Sequence, residues 1–265
     1  HGKFRRQRQM CIRDRNLVLA PLAGIFAAGN RTMIKPSELT PATSEITKKM
    51  FEAYFDKSEA AVFTGDAEVG AAFSALPFDH LLFTGGTQIG KKVMKAASEN
   101  LVPVTLELGG KSPVIVDEDA NLSEVAKKVM RGKTMNAGQI CLAPDYLMLP
   151  KGKSKEFANA SSEVIGEMFE DLKYNEDYTS VINERHYERI NELVADAKEK
   201  GAEVLEINPA DEDFEQQELH KIPPTLVLNP TDDMKIMQEE IFGPVLPVKE
   251  YDDFNETVSY VNSKE

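Results

Sequence analysis

The amino-acid sequence predicts an α/β protein built on a parallel, doubly wound sheet, with a second α/β set following it in the chain. Three observations carry this. Short apolar strand patterns alternate with helical patterns from residue 32 to 106. A second alternation runs from Val114 to Val248. Glycine-bearing turns, such as Thr84-Gly85-Gly86, stand where a strand hands over to a helix. Strands separated by helices cannot pair as hairpins and are brought together as parallel neighbours.

The elements follow in order. Asn16 to Gly29 is apolar with small residues, a helix stopped by Gly29-Asn30. Thr32-Met33-Ile34 is a short strand ended by Lys35-Pro36-Ser37-Glu38. Pro41 sits early in a helix over Ala42 to Phe55, where proline is tolerated because its missing N–H would be unpaired anyway. Ala60 to Thr64 is a strand, Glu68 to Ala75 a helix, Leu81 to Phe83 a strand, Gln88 to Ser98 a helix and Val102 to Leu106 a strand. In the second set, Val114 to Val116, Tyr146 to Leu149, Val204 to Ile207, Thr225 to Leu228 and Val245 to Val248 read as strands. Ser123 to Met135, capped by Asn121, Glu156 to Leu172, Glu184 to Lys200 and Asn255 to Asn262 read as helices. Asp211 to Glu218 is expected to be a solvated acidic loop.

Bulk properties narrow the function classes. Lys and Arg number 31 against 44 Asp and Glu, a net charge of −13. Such a surface argues against nucleic acid or an anionic membrane as the main partner. No apolar run reaches membrane-spanning length. Two cysteines, Cys11 and Cys141, make no disulfide framework and point to a reducing, cytoplasmic setting. The four histidines lack metal-ligand spacing, so no metal site is expected. Residues 1–15 stand apart: six basic residues and one acid open an otherwise acidic chain. Gln9-Met10-Cys11-Ile12-Arg13-Asp14 reads like a translated sequencing adapter, so 1–15 is expected to be non-native. A nucleotide record in which codons 9 to 14 do not spell the adapter would refute this. Cys11 is therefore set aside.

Four stretches carry candidate chemistry. Asn136-Ala137-Gly138-Gln139-Ile140-Cys141 presents a thiol on a small-residue turn between a helix and a strand, a placement that suits a nucleophile. A lone buried cysteine is the plainer alternative. Glu107 stands at the end of an apolar strand, before Gly109-Gly110, where burial would raise its pKa toward that of a general base. The alternative is a carboxylate bonded to loop amides. Lys35 and Glu38 follow a strand at the sheet's carboxyl edge, where α/β folds bind nucleotides. A carboxylate there accepts ribose hydroxyls and repels a 2′-phosphate, which favours NAD over NADP. The alternative is a solvated loop. Gly110-Lys111-Ser112 is not a P-loop, because the first glycine would fall at Thr105. Thr84-Gly85-Gly86 is not G-x-G-x-x-G, yet it can present amides to a pyrophosphate.

The order of motifs is more specific than any one of them. Asn16-Leu17-Val18-Leu19-Ala20-Pro21, Lys35-Pro36-Ser37-Glu38, Phe83-Thr84-Gly85, Glu107-Leu108-Gly109-Gly110-Lys111-Ser112-Pro113, Gly138-Gln139-Ile140-Cys141 and Glu240-Ile241-Phe242-Gly243-Pro244 closely resemble the NAD(P)-dependent aldehyde dehydrogenase family. The resemblance runs from Asn16 to Glu265. Pro77-Phe78-Asp79-His80-Leu81 and Cys141-Leu142-Ala143-Pro144-Asp145-Tyr146 look most like its coniferyl-aldehyde and fatty-aldehyde (class 3-like) branch.

The resemblance implies a Rossmann-like NAD-binding part over 16–108 and an α/β catalytic part over 109–265, truncated at both ends. It implies oxidation of an aromatic (coniferyl-type) or medium- to long-chain aliphatic aldehyde to a carboxylic acid, with NAD, NADP being possible. Cys141 would be the nucleophile and Glu107 the base that activates water. Lys35 and Glu38 would hold the adenosine ribose, Gly86 would lie near the pyrophosphate, and Leu108 would contact the cofactor. Glu240 would hold the nicotinamide ribose, with Phe242 beside it. The full-length parent is expected to be a homodimer. Two other readings stand beside this one: a CoA-acylating relative, which would not need Glu107, and an inactive nucleotide-binding fragment of the fold. The chain departs from the family in having Gly86 where serine is usual. It also lacks a Pro-Trp-Asn segment before Asn16, whose asparagine helps form the oxyanion hole. Losing one such donor typically costs about 10²–10³ in rate. We therefore expect an internal fragment of a larger enzyme.

Overall fold

The computed structural model describes residues 8–215 and 217–264, with side chains from residue 13 onward. Part of the segment expected to be non-native, residues 1–7 and the Cys11 side chain, lies outside the described residues. The chain divides into two compact units that meet in sequence between Gly109 and Gly110.

The first unit opens with helix α1 (Arg8–Ala27), which starts earlier than the composition shift at Asn16 suggests. Gly29 ends the turn after it with φ +73°, a conformation glycine adopts without steric cost. Asp14 Oδ2, on this helix, accepts a 2.6 Å hydrogen bond from Thr40 Oγ1. Strands β1 (Thr32–Ile34) and β2 (Ala60–Val62) pair in parallel across helix α2 (Pro41–Tyr54). Leu22, Ile34, Phe51, Ala60 and Val62 form their shared core. Helix α3 (Ala67–Ser74) is capped by Asp66, whose carboxylate accepts the amides of Glu68 and Val69. Strands β3 (Leu81–Gly85) and β4 (Val104–Leu108) form a second parallel pair across helix α4 (Thr87–Ser98). Leu81, Val93, Ala97 and Val102 fill its core. Among the described residues this unit thus holds two separate two-stranded parallel sheets. The alternation is as expected, but the strands are not joined in one sheet.

Strand β4 is displaced from its expected range. It begins at Val104 and runs through Glu107 and Leu108, so Glu107 lies inside a strand rather than beyond one. Pro103 cannot donate to a ladder, which defers the start.

The second unit holds the doubly wound sheet. Strands β5 (Pro113–Ile115), β6 (Tyr146–Pro150), β7 (Glu203–Glu206), β8 (Thr225–Leu228) and β9 (Val245–Tyr251) lie in the order β5-β6-β9-β8-β7. All neighbours are parallel except β7 with β8, which makes β7 an antiparallel edge strand. Central strands of such a sheet are buried on both faces and read as continuous apolar runs. Along β6, Leu147 and Leu149 point into one core, while Tyr146 and Met148 point into the other. Helices α5 (Leu122–Thr134) and α6 (Ser154–Met168) cover the first face with Ala126, Val129, Met130, Phe157 and Ile165. Helix α7 (Glu184–Glu199) and the short α8 (Lys235–Gln238) cover the second with Ile190, Leu193, Ile236 and Met237. Helix α9 (Phe254–Asn262) follows β9.

Asn121 caps α5 as expected, accepting the amides of Ser123 and Glu124 at 3.0 and 3.2 Å. Gly201 closes α7 with φ +90°. Helix α6 stops at Met168, short of Leu172, because Phe169 is already extended. The acidic loop is not merely solvated: Glu212 accepts the amides of Leu172 and Lys173 and so ties the end of α6 to the region before β8. Among the described residues no helix is long and apolar enough to cross a membrane, and no group of three or more His, Cys, Asp or Glu could hold a metal.

Candidate active site

The thiol of Cys141 is exposed, in the loop between α5 and β6. The backbone before it is unusual. After α5 a short 3₁₀ turn, Met135–Gly138, carries Asn136, Ala137 and Gly138 at φ +53°, +50° and +70°. Three consecutive left-handed residues are costly for side-chain-bearing amino acids, and such strain persists only where surroundings impose it. All three are buried. Gln139 supplies much of the constraint. Its side chain, 1% exposed, donates to Asn136 O and Ser180 O at 3.0 Å and accepts Ile182 N at 3.0 Å. Asn136 Nδ2 returns a bond to Gln139 O at 3.0 Å. The turn is thereby stitched to the segment before α7.

The loop carrying Glu240 and Phe242 lies against this turn. A Cβ on Gly138 would fall 2.3 Å from Gly243 O, and one on Gly243 would meet Ile190 Cδ1 at 2.6 Å. Both glycines are dictated by close approach. Phe242 is itself left-handed, φ +50°. Arg189 from α7 donates to the carbonyls of Glu240 and Ile241. The Glu240 carboxyl is half-buried; burial, with Asp145 nearby, pushes its pKa up, against a bond from the Gly110 amide and the charges of Arg189 and Lys111. Lys133 at the end of α5 is 1% exposed and donates to Pro144 O at 2.7 Å. Burial depresses its pKa to about 8. Asp145, four residues after Cys141, is buried and paired with Lys111.

The remaining expected site residues belong to the first unit. Lys35 Nζ donates to Glu38 Oε2 at 2.8 Å. That bond holds the Glu38 carboxyl below its ordinary pKa, so the group is anionic at neutral pH. Pro36, Ser37, Glu38, Pro41, Ser44, Glu45, Thr64 and Gly65 line a cleft of ≈ 300 Å³ at the carboxyl ends of β1 and β2. Thr84 pairs with Glu107 and Gly85 with Leu108, side by side at the carboxyl ends of β3 and β4. Gly86 is the N-cap of α4, and a Cβ built on it would meet nothing within 4 Å. Gly90, one turn on, packs closely on Leu108, since a Cβ there would lie 2.8 Å from Leu108 Cδ2 and push that side chain aside. Glu107 is exposed, so the expectation of a buried carboxyl is corrected. Its place in the strand explains this: with Val104 and Leu106 half-buried, the alternate positions Thr105 and Glu107 face outward.

Cys141, Glu240 and Phe242 are thus gathered within residues 110–264. Lys35 with Glu38, and Gly86 with Glu107 and Leu108, are gathered within residues 8–109. Lys111, Asp145, Gln139 and Arg189, whose side chains bond across these loops, were not anticipated. Lys111 and Asp145 were visible in the quoted motifs, but charged residues beside glycines and prolines give no sign of mutual contact before folding.

An exposed thiol follows a strained, hydrogen-bonded turn, beside a second loop carrying a carboxylate, on a doubly wound α/β scaffold. Residues 15–265 match the aldehyde dehydrogenase family, and the chain belongs to that family. It is 60% identical over 248 residues to a probable coniferyl aldehyde dehydrogenase of Caulobacter vibrioides, covering 94% of this chain and 51% of that protein. It is 54% identical to a coniferyl aldehyde dehydrogenase of a Pseudomonas species, over 94% of this chain and 52% of that protein. Among solved structures, Staphylococcus aureus AldH superposes with a TM-score of 0.83 at 38% identity, over 93% of this chain and 52% of that one. More distant neighbours of the fold were solved with NAD⁺, a betaine aldehyde dehydrogenase of Staphylococcus aureus (TM-score 0.78, 29% identity, 89% of this chain and 48% of that one), and with NADP, a glyceraldehyde-3-phosphate dehydrogenase of Bacillus halodurans (TM-score 0.77, 30% identity, 89% and 48%). The chain spans about half the length of the curated relatives it matches.

Proposed function

We propose that the protein to which this chain belongs oxidises an aldehyde to a carboxylic acid, with Cys141 as nucleophile and a nicotinamide cofactor. The observation that supports it best is the exposed Cys141 thiol on a turn held rigid by Gln139 and laid against the Glu240 loop. In this reading residues 16–108 serve the cofactor and 109–265 the catalytic part. The relatives named for coniferyl aldehyde favour an aromatic substrate.

Chemically, the Cys141 thiolate adds to the carbonyl carbon and forms a thiohemiacetal, with negative charge on the oxygen. A nicotinamide held by Glu240, with Phe242 beside it, would supply the acceptor for the hydride of this carbon, and Cys141 would then carry a thioester. Glu107 takes a proton from water as the water adds to the thioester carbon. Collapse breaks the C–S bond, releasing the carboxylate and regenerating the thiolate. Dividing the oxidation in this way replaces one difficult step with two easier ones.

The residues of the first unit fit the adenosine end of the cofactor. The cleft beside Glu38 stands at the carboxyl ends of parallel strands, and Gly86 opens a twelve-residue helix, whose N-terminus favours an anion. Lys35 and Glu38 would hold the ribose, Gly86 would meet the pyrophosphate, and Leu108 would line the cofactor site. Glu240 would accept bonds from the nicotinamide ribose, with Phe242 beside it. The anionic Glu38 favours NAD over NADP.

The test pairs iodoacetamide labelling, mapped by mass spectrometry, with NADH formation from coniferyl aldehyde and a long-chain aldehyde. Fast labelling of Cys141 that changes with NAD, together with NADH and free acid, supports the proposal. An acyl-CoA product formed only with CoA would favour the acylating alternative, and turnover by Cys141→Ala would refute the nucleophile.

A further inference from the structure

Three consecutive residues, Glu239, Glu240 and Ile241, are each bonded by a residue at 110, 111 or 145. Lys111 Nζ donates to Glu239 O at 3.1 Å. The Gly110 amide donates to the Glu240 carboxylate. Asp145 Oδ1 accepts Ile241 N at 3.0 Å. Lys111 also reaches Ile236 O at 2.7 Å, at the start of the same segment, and pairs with Asp145 Oδ2. All three ammonium protons and both carboxylate oxygens therefore have partners. The pair is well removed from water, with the side chains 14% and 4% exposed. Asp145 is also on the cysteine's own loop, its amide donating to Ser112 O at 2.9 Å.

We propose that Lys111 and Asp145 are a positioning pair that sets the Glu240 loop against the cysteine loop, and so governs cofactor use at Glu240 rather than thiol chemistry at Cys141. This rests on the reading of Glu240 as the ribose-holding carboxylate and Cys141 as the nucleophile. The physical reason lies in what removal leaves behind. Without the Lys111 ammonium, two carbonyls and a buried carboxylate lose their partner together, and desolvated groups of that kind do not stay in place unpaired. The segment moves until water reaches them. Glu240 is carried with it, whereas the Asn136–Gln139 turn keeps its separate bonds to Ser180 and Ile182.

The experiment compares Lys111→Met, Lys111→Arg and Asp145→Asn with the unaltered protein. Hydrogen exchange of peptides covering 239–243 and 136–139 is followed by mass spectrometry, alongside the KM for NAD, kcat and the rate of iodoacetamide labelling at Cys141. Lys111→Met is expected to speed exchange at 239–243 about tenfold and to raise the KM for NAD at least tenfold. Labelling at Cys141 changes by less than about threefold, and Lys111→Arg recovers most of the loss. Unchanged exchange at 239–243 in a folded variant overturns the proposal. So does a parallel fall in labelling, kcat and melting temperature, which would mean the pair only supports the fold. Should Lys111→Met not fold, Asp145→Asn keeps an acceptor for Ile241 and removes the charge; an unchanged KM for NAD there is equally fatal. Glu240→Gln separates the two readings. If it leaves the KM for NAD unchanged, the role of Glu240 falls, while the exchange comparison still decides whether the pair holds the loop.

Discussion

Gly138 approaches Gly243 so closely that the carbonyl oxygen of Gly243 occupies the space a Cβ on Gly138 would need, 2.3 Å away. The same glycine is left-handed at φ +70°. Gly138→Ala therefore meets two obstacles, a left-handed alanine costing about 1–2 kcal/mol and an overpacked contact of about 1–3 kcal/mol. The expected outcome is a loss of roughly 2–5 kcal/mol in urea unfolding. The Glu240 loop also separates from the cysteine turn, seen as faster hydrogen exchange at 239–243. Gly86→Ala is the control: its Cβ meets open space, only the poorer N-cap propensity of alanine is felt, and unfolding is expected to shift by about 1 kcal/mol or less.

Gln139 acts on the same turn through hydrogen bonds. Its amide makes three bonds inside the protein, so Gln139→Ala leaves two carbonyls and one amide without that partner. A cost of about 2–4 kcal/mol follows. Gln139→Glu should be worse than Gln139→Met at neutral pH, since it places a carboxylate against two buried carbonyls. A melting temperature for Gln139→Glu at or above that of Gln139→Met would contradict this role.

Glu38 offers a test of cofactor choice. Its bond to Lys35 keeps it anionic at neutral pH, and an anion at the proposed ribose site would oppose a 2′-phosphate. Glu38→Gln removes the charge while leaving Lys35 in place. The ratio of kcat/KM for NAD over NADP is expected to fall about tenfold, the size of a modest, solvent-screened electrostatic effect. An unchanged ratio would place the ribose elsewhere than beside Glu38.

Local pattern carried much of this fold. Strand runs such as Tyr146 to Leu149 are so apolar that only burial on both faces suits them, and Asn121 and Gly201 punctuate their helices as their chemistry dictates. What escaped depended on partners distant in the chain. The division of the first unit into two strand pairs is a matter of which edges meet, which periodicity does not encode. Glu107 was misplaced because Val102 to Leu106 reads as one apolar run, although Pro103 pushes the strand two residues on. The Lys111–Asp145 pair spans 34 residues, and Asp145 reaches Ile241 across 96. Glu212 was read as solvated for the same reason, its amide partners at 172 and 173 lying 40 and 39 residues away.

Lys133 supplies a prediction about pH. It is buried at the end of α5, and desolvation lowers its pKa from 10.5 to about 8, with Asp145 opposing that shift and Lys111 adding to it. Below about pH 8 the lysine is protonated in both folded and unfolded chains, and its burial penalty is constant. Between about pH 8 and 10.5 the unfolded chain binds a proton that the folded chain does not. Stability must then rise with pH across this window. The full shift corresponds to a gain on the order of 3 kcal/mol. Tyr178 and Tyr260 work in the opposite sense above pH 10, because burial raises their folded pKa values and the unfolded chain loses their protons first. The clean window is therefore pH 8 to 10. Urea unfolding followed by circular dichroism at pH 7, 8, 9 and 10 should show a rise that is absent in Lys133→Met. The same variant should be less penalised at pH 7 than its lost bond to Pro144 O alone would suggest, because it no longer buries a charge. A pH slope identical in the two proteins would mean that Lys133 reaches water in solution, and that the cysteine turn is looser than its bonding pattern implies.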